Sequence, residues 1–340
     1  MKLNIMIPNQ WIEEAEKRIA PFIDETPLTY DEDLDIFLKW ENHQVSGSFK
    51  VRGAFNKILT LQPWERELGL VAASAGNHGA GVALAAQTFD VPATIFVSEN
   101  AVPSKIDAMR KFGAEVHTVP GAYGGSYGGS IGEAERAGKN YAASSGKIWV
   151  SPYNDGQVIA GQATLGLEIL RQLPEAINKT WFIPIGGGGL MAGIASALEF
   201  YQTNSYSNKS ETARHYRLFG IQSEASPFFH AIYHYGSQEG VIELPSLADG
   251  LAGQLEDNSI TIPILKSCVD DIILVSEEDI ADAIAYAWHK YAEKIEGSAA
   301  ASIAAVLTRK ISASPSIVII TGGNIQPEAH KMLCKEKGVK

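Results

Sequence analysis

The chain has 340 residues, 45% hydrophobic and 20% charged, with a formal net charge of -11. That is apolar material for one large domain or two modest ones. The negative field argues against a nucleic-acid partner, and no run approaches the ~20 uninterrupted apolar residues of a membrane span.

Met1 to Pro8 runs into Glu13, Glu14 and Glu16 and lacks the long apolar core of a secretory leader. The two cysteines, Cys268 and Cys334, form no CxxC pair. A reducing cytoplasm is expected, rather than a disulfide framework or a structural zinc site. From Leu70 onward, short β-branched runs alternate with helical stretches. "LVAAS", "ATIFVS", "EVHTV" and "IWVS" predict one group of strands, and "WFIPI", "LFGIQ", "IILV" and "SIVII" a second. Between them "PSKIDAMRKFG" predicts a helix with Pro103 in its first turn and Gly113 at its end. Ser276-Glu277-Glu278-Asp279 predicts a capped helix start. Such alternation implies mostly parallel sheets with helices on both faces, and two groups of four strands imply two sheets. "GAYGGSYGGS" (Gly121 to Ser130) suits a loop or the approach to a helix, and the polar stretch Gln202 to His215 suits a surface connection. No flexible linker separates the halves, so the two units should be closely packed.

Four stretches carry chemistry. "SGSFKVRGA" presents Lys50 behind Phe49 and three small residues. "SAGNHGAGVA" joins a strand ending at Ser74 to a helix expected near Gly79, which suits gripping a substrate carboxylate; by itself it is also a plain capped turn. "IPIGGGGLMAGIA" follows an apolar strand and opens a helix. Close-approaching main-chain N–H groups at Gly186, Gly187, Gly188 and Gly189 make a phosphate or carboxylate cradle. Gly187, Gly189 and Ala192 also satisfy a dinucleotide GxGxxA pattern, but the required acidic residue is misplaced. "TGGN", Thr321 to Asn324, ends the strand "SIVII", where parallel sheets bind ligands. His230 and His234 have i,i+4 spacing without a third ligand, so a surface or core pair is expected.

Together these stretches, with "LKWENHQ", "VIAGQATLGLEIL" and "IEGSAAASIAAVL", resemble the fold-type II pyridoxal-phosphate enzymes, the family of tryptophan synthase β and the serine/threonine dehydratases. The resemblance spans nearly the whole chain. It implies an α/β fold of two doubly wound domains, each a mostly parallel sheet covered by helices, with the cofactor in the cleft between them. Residues 1–63 and 148–340 would form a large cofactor-binding domain, and residues 64–147 a small substrate-loop domain. A homodimer is implied as well.

The resemblance gives each position a role. Lys50 is similar to the lysine that holds pyridoxal 5'-phosphate as a Schiff base and later removes the α-proton. Phe49 would lie against the pyridine ring. Gly186 to Gly189 would hold the phosphate and Asn77 the 3-hydroxyl. Thr321 would face the pyridine nitrogen, and Gly250 would bring a carbonyl to the cofactor. Ser74, Ala75, Gly76, Asn77 and His78 would form the substrate-carboxylate loop. Asn154 and Tyr153 would face the side-chain pocket, with core packing the alternative for Tyr153. "SAGNH" is similar to threonine dehydratases, whereas serine racemases carry a second serine at the position of Ala75. Relatives place an acidic cation ligand where this chain has Gln222, so no metal site is expected. The biosynthetic members continue into a regulatory domain. Here the chain stops at Lys340, and control through such a domain is not expected.

The activity implied is dehydration and deamination of L-threonine or L-serine to a 2-keto acid and ammonia. Alternatives are another 3-hydroxy amino acid (3-phenylserine or 3-hydroxyaspartate) or serine racemisation. A dinucleotide-dependent oxidoreductase or a non-catalytic binding protein are further alternatives.

Overall fold

The computed structural model describes residues 6–120, 127–205, 214–310 and 315–339. Among them the strands are β1 (Leu28–Asp31), β2 (Ile36–Trp40), β3 (Leu70–Ala73), β4 (Ala93–Ser98) and β5 (Glu115–Val119). They continue as β6 (Ile148–Trp149), β7 (Thr180–Pro184), β8 (Arg217–Ser223), β9 (Asp271–Val275) and β10 (Ser316–Ile320). They form a six-stranded sheet, β1-β2-β10-β7-β8-β9, and a four-stranded sheet, β5-β4-β3-β6. Every pairing is parallel except the β1–β2 hairpin. The two parallel groups match the predicted strands.

Strands β7 and β10 are buried along their whole length, as expected of parallel strands covered on both faces. Their residues alternate between two cores. Trp181, Ile183, Ile317 and Ile319 pack in one with helices Gly156–Gln172 and Gly189–Ser205. Phe182, Val318 and Ile320 pack in the other with helices Glu277–Tyr291 and Gly297–Leu307. The capped start at Ser276 is present: its hydroxyl accepts from Asp279 N, and the Asp279 carboxylate accepts from Ser276 N. Helix Pro103–Lys111 likewise ends before Gly113, at φ 79°.

Two expectations need correction. The large sheet has six strands, not four, because the β1–β2 hairpin joins its edge. Lys39 interrupts the apolar run of β2 and is nonetheless completely buried. The helix after Ser74 begins at Asn77, not Gly79. In the glycine-rich stretch, Gly121 to Ser126 lie outside the described residues, and helix Tyr127–Ser145 begins immediately after. In the polar connection, residues 206–213 also lie outside them.

Helix Lys50–Thr60 lies between the two sheets. Val51, Ala54, Phe55 and Ile58 join the core of the small sheet. Its other side crosses helix Gly156–Gln172 at Gly53 and Gly161. A methyl group on Gly161 would meet the Arg52 carbonyl oxygen at 2.5 Å, and one on Gly53 would meet the Gln162 amide at 2.4 Å. Only glycine permits that approach. Lys39, Glu41, Arg52 and Glu168 form a buried ionic cluster beside this crossing. Ion pairs Lys105–Asp249 (3.1 Å) and Lys139–Glu256 (2.8 Å) tie helices of the small unit to loops of the large one. The close packing expected of the two halves is present.

Candidate active site

Lys50 is the first residue of its helix, and Phe49 is the cap. The approach is pinned to the end of β10. Phe49 N donates to Thr321 O (3.1 Å), Gly323 N donates to Gly47 O (3.0 Å), and Ser48 bridges Gly322. The half-buried Lys50 ammonium donates to the Pro152 carbonyl (3.2 Å) and lies 5.1 Å from the Phe49 ring centroid. Burial lowers its pKa to about 8, with the Glu296 carboxylate opposing the shift.

From Lys50, contacts lead through the remaining motifs. Beyond Pro152, the Tyr153 ring packs under the glycine loop. A methyl group on Gly187 would meet that ring at 2.3 Å, and one on Gly189 would meet Tyr153 Cα at 2.9 Å. Gly188 sits at φ 85°, where L side chains are strained, and a methyl group there would meet Leu265 and Phe229. Thr261 Oγ1 donates to Gly187 O (2.8 Å) and fixes the loop from outside. Gly186 abuts Leu251, whose neighbour Gly250 donates its N–H to Ser298 Oγ (3.0 Å). Two residues before Ser298, Glu296 Oε1 accepts from Asn77 Nδ2 (2.6 Å). Asn77 Oδ1 accepts from Asn324 Nδ2 (2.8 Å), which also donates to Ser46 O (3.0 Å). The circuit thereby returns to the Lys50 loop.

Helices beginning at Lys50, Asn77, Gly189 and Gly297 all start on this circuit. First-turn N–H groups have no acceptor within their own helix and carry partial positive charge. The arrangement therefore favours a ligand with more than one anionic group.

The side chains at the remaining predicted positions are placed by specific bonds. The His78 imidazole bonds the Val150 carbonyl through Nε2 (2.9 Å) and is buried. Burial, reinforced by the Lys50 charge, lowers its pKa to about 3, so it stays neutral and its side chain is committed to Val150. Only its main-chain N–H remains available to the carboxylate loop. Ser74 Oγ accepts from Gly76 N (3.1 Å) and shapes that loop. Tyr153 is a packing residue, and its hydroxyl accepts from Glu256 N (3.0 Å). Asn154 Oδ1 is engaged by Ile260 N (3.0 Å). Gln222 is buried at the end of β8 and accepts from His230 N (3.0 Å). The His230 and His234 rings lie 4.3 Å apart, and His234 pairs with Asp271 (3.1 Å). Among the described residues no group of three potential ligands could hold a metal ion.

Glu296, Ser298 and Thr261 join the circuit without having been singled out by sequence reasoning, and Asn324, which closes the "TGGN" stretch, was given no role of its own. A glutamate before a helix usually signals a solvent-facing cap, yet Glu296 makes no side-chain cap bond and is buried.

The residues present fit pyridoxal phosphate. Thr321 Oγ1 is buried without a hydrogen-bond partner, a cost unless a ligand atom meets it. The glycine loop opens a helix as a phosphate cradle does, and the Lys50 amine bonds the carbonyl of Pro152, the neighbour of the Tyr153 that packs under that loop.

Comparison with known proteins agrees. Residues 19–322 match the family model described as pyridoxal-phosphate dependent enzyme. L-threonine ammonia-lyase of Thermotoga maritima is 38% identical over 327 residues, 94% of this chain and 76% of the relative. Maize serine racemase superposes with a TM-score of 0.80 at 30% identity, over 98% of this chain and 97% of that one. The processed threonine deaminase isoform 2 of Solanum lycopersicum also gives 0.80, at 28% identity, over 97% and 88%. With the family model matched over most of its length, the chain belongs to the pyridoxal-phosphate dependent enzymes.

Proposed function

We propose that this protein is a lyase that dehydrates and deaminates L-threonine, and L-serine as a smaller substrate, to a 2-keto acid and ammonia. The observation that carries the reading is the Lys50 amine. It is half-buried beside Phe49 with a pKa of about 8, on a circuit that also holds the glycine loop, the Asn77 loop and Thr321. Similarity to the Thermotoga maritima ammonia-lyase points to threonine.

In this reading the N–H groups of Gly186 to Gly189 would hold the cofactor phosphate. Asn77 would serve its 3-hydroxyl, Thr321 Oγ1 its pyridine nitrogen, and the Gly250 carbonyl would lie toward its edge. When bound, pyridoxal phosphate supplies an electron sink for the carbanion at the substrate Cα. The first-turn N–H groups of helix Asn77–Thr88, with Ser74, Ala75 and Gly76, bind the substrate carboxylate and orient Cα–H toward Lys50. Lys50 would hold the cofactor and, as a free amine beside Cα, would take the α-proton of the oriented substrate. A base whose pKa lies near working pH is suited to both taking and returning a proton. Loss of water from Cα–Cβ leaves an enamine, and its hydrolysis returns the water and releases ammonia. Thr321 would offer the ring nitrogen a neutral hydroxyl rather than a carboxylate, a partner that would stabilise the carbanion less and so favour β-elimination.

The proposal extends to a homodimer, to a cytoplasmic location, and to a division into residues 1–63 with 148–340 and residues 64–147. Cys268 and Cys334, both buried free thiols, are compatible with a reducing compartment, and no helix among the described residues is long and apolar enough to cross a membrane. The function is tested by keto-acid release from threonine, serine, 3-phenylserine and 3-hydroxyaspartate. Turnover should be fastest with threonine; preference for either bulkier or acidic substrate would overturn the assignment.

A further inference from the structure

The mechanism above leaves Glu296 unused, although it is a carboxyl group 8% exposed in the middle of the site. Its Oε1 lies 2.6 Å from Asn77 Nδ2, and its main-chain N–H donates to Gly322 O (3.2 Å). A methyl group on Gly322 would meet the same Oε1 at 2.7 Å, so the carboxyl is wedged against the segment following β10. The far end of the Asn77 amide is held by Asn324 Nδ2 at 2.8 Å. A donor on one side and an acceptor on the other leave the Asn77 amide a single orientation.

We infer that Glu296 is the positioning residue for Asn77, and that its carboxylate form holds the amide more firmly than its neutral form. A hydrogen bond to an ionised acceptor is shorter and about twice as strong as one to a neutral acceptor. The groups facing this carboxyl make it sensitive to pH. Burial raises its pKa to about 7, and Asp249, in the turn beside Gly250, pushes in the same direction. Lys105 from the small unit, Asn77 and the Asn324 N–H oppose that shift, and the Lys50 charge is coupled to it. Asn77 is therefore gripped loosely below pH 7 and firmly above it. Every step that depends on the Asn77 amide inherits this dependence. The inference rests on the reading that the cofactor sits between Lys50 and Asn77.

The test uses Glu296→Gln, which preserves shape and an acceptor oxygen but removes the titration. Pyridoxal phosphate is titrated into each apoprotein at pH 6 and pH 8, and the ratio of the two affinities is taken so that the cofactor's own ionisation cancels between proteins. The wild-type ratio should exceed that of Glu296→Gln by about threefold or more. The wild-type kcat for threonine should fall as pH is lowered through 7 with KM nearly constant, and the variant should lack that inflection. Asn77→Ala should remove the effect, with Glu296→Gln adding nothing on that background. Equal affinity ratios, or an inflection surviving in Glu296→Gln, would overturn the inference. Lys50→Ala run alongside separates the two levels: wild-type turnover in that variant would sink the underlying reading, whereas its inactivity with equal ratios sinks only the role of Glu296.

Discussion

Arg52 meets Glu41 in a two-pronged, fully buried ion pair, Nε to Oε2 and Nη2 to Oε1, each at 2.7 Å. Nη2 also reaches Glu168 Oε2 (2.9 Å), and Lys39 Nζ reaches Glu168 Oε1 (2.5 Å). Arg52 lies two residues after Lys50, so the cluster locks the helix that delivers the amine to β2 and to helix Gly156–Gln172. Removing one member of a buried ionic cluster strands the others. Arg52→Met should therefore destabilise the fold by about 3–5 kcal/mol, read from denaturant unfolding. A loss below about 1 kcal/mol would show that the cluster does not hold this helix.

Lys50→Ala removes anchor and base together. Keto-acid formation from threonine should fall by at least about 10²–10⁴-fold, the range assigned to general acid–base groups. The purified variant should also lack the visible absorbance of covalently held cofactor.

The Lys50 titration has a second consequence for the cofactor-free protein. Its folded pKa, about 8, lies below the ~10.4 of an unfolded lysine. The unfolded chain binds more protons between those values, so stability rises with pH across that window. The penalty is present in full below pH 8 and relieved as pH approaches 10. Apoprotein melting temperature should rise from pH 8 to pH 10 relative to Lys50→Ala. Parallel curves for the two proteins would contradict the low pKa.

Thr321→Val should act with opposite sign on the two forms. The hydroxyl is buried and partnerless in the protein alone, so an isosteric methyl should leave apoprotein stability unchanged or raised. If the same hydroxyl meets the pyridine nitrogen, cofactor affinity should fall by about threefold to tenfold, the worth of one hydrogen bond of roughly 0.5–1.5 kcal/mol. Calorimetry of the apoprotein and a cofactor titration read the two effects separately.

In the proposed mechanism Ala75 would govern stereochemistry. Lys50 would reach one face of Cα, and racemisation needs a donor on the other, which a methyl group cannot be. Chiral chromatography of residual serine during turnover should show pyruvate forming with little D-serine. D-Serine appearing at the rate of pyruvate would identify another donor on the second face. The committed His78 imidazole should not serve, given its bond to Val150.

Much of this architecture was legible because parallel strands announce themselves. Runs such as Ile317 to Ile320, buried on both faces, are apolar without interruption. The β1–β2 hairpin was not, because Lys39 has its partner, Glu168, 129 positions away. No local pattern distinguishes a lysine bound for a buried carboxylate from one bound for water. Within the site, glycine and Lys50 positions were legible because their chemistry needs particular residue types at fixed places along the chain. The inward bonds of the Tyr153, Asn154 and His78 side chains were not legible, because a polar side chain beside a binding loop can turn inward to satisfy backbone groups, here Glu256 N, Ile260 N and Val150 O. Glu296 escaped notice because its partner, Asn77, opens helix Asn77–Thr88, far away along the chain.

Four helix starts lie on one circuit of contacts in a chain whose formal charge is -11. At close range the N–H groups attract anions, but outside the site the net negative charge repels them over a Debye length of about 10 Å from the surface. An anionic cofactor must therefore climb an outer barrier before it falls into an inner well. Added salt flattens the barrier and, by screening the exposed charges first, leaves the enclosed well largely intact. Cofactor uptake should thus quicken as ionic strength rises, the reverse of the behaviour of enzymes that draw anionic ligands in through a basic exterior.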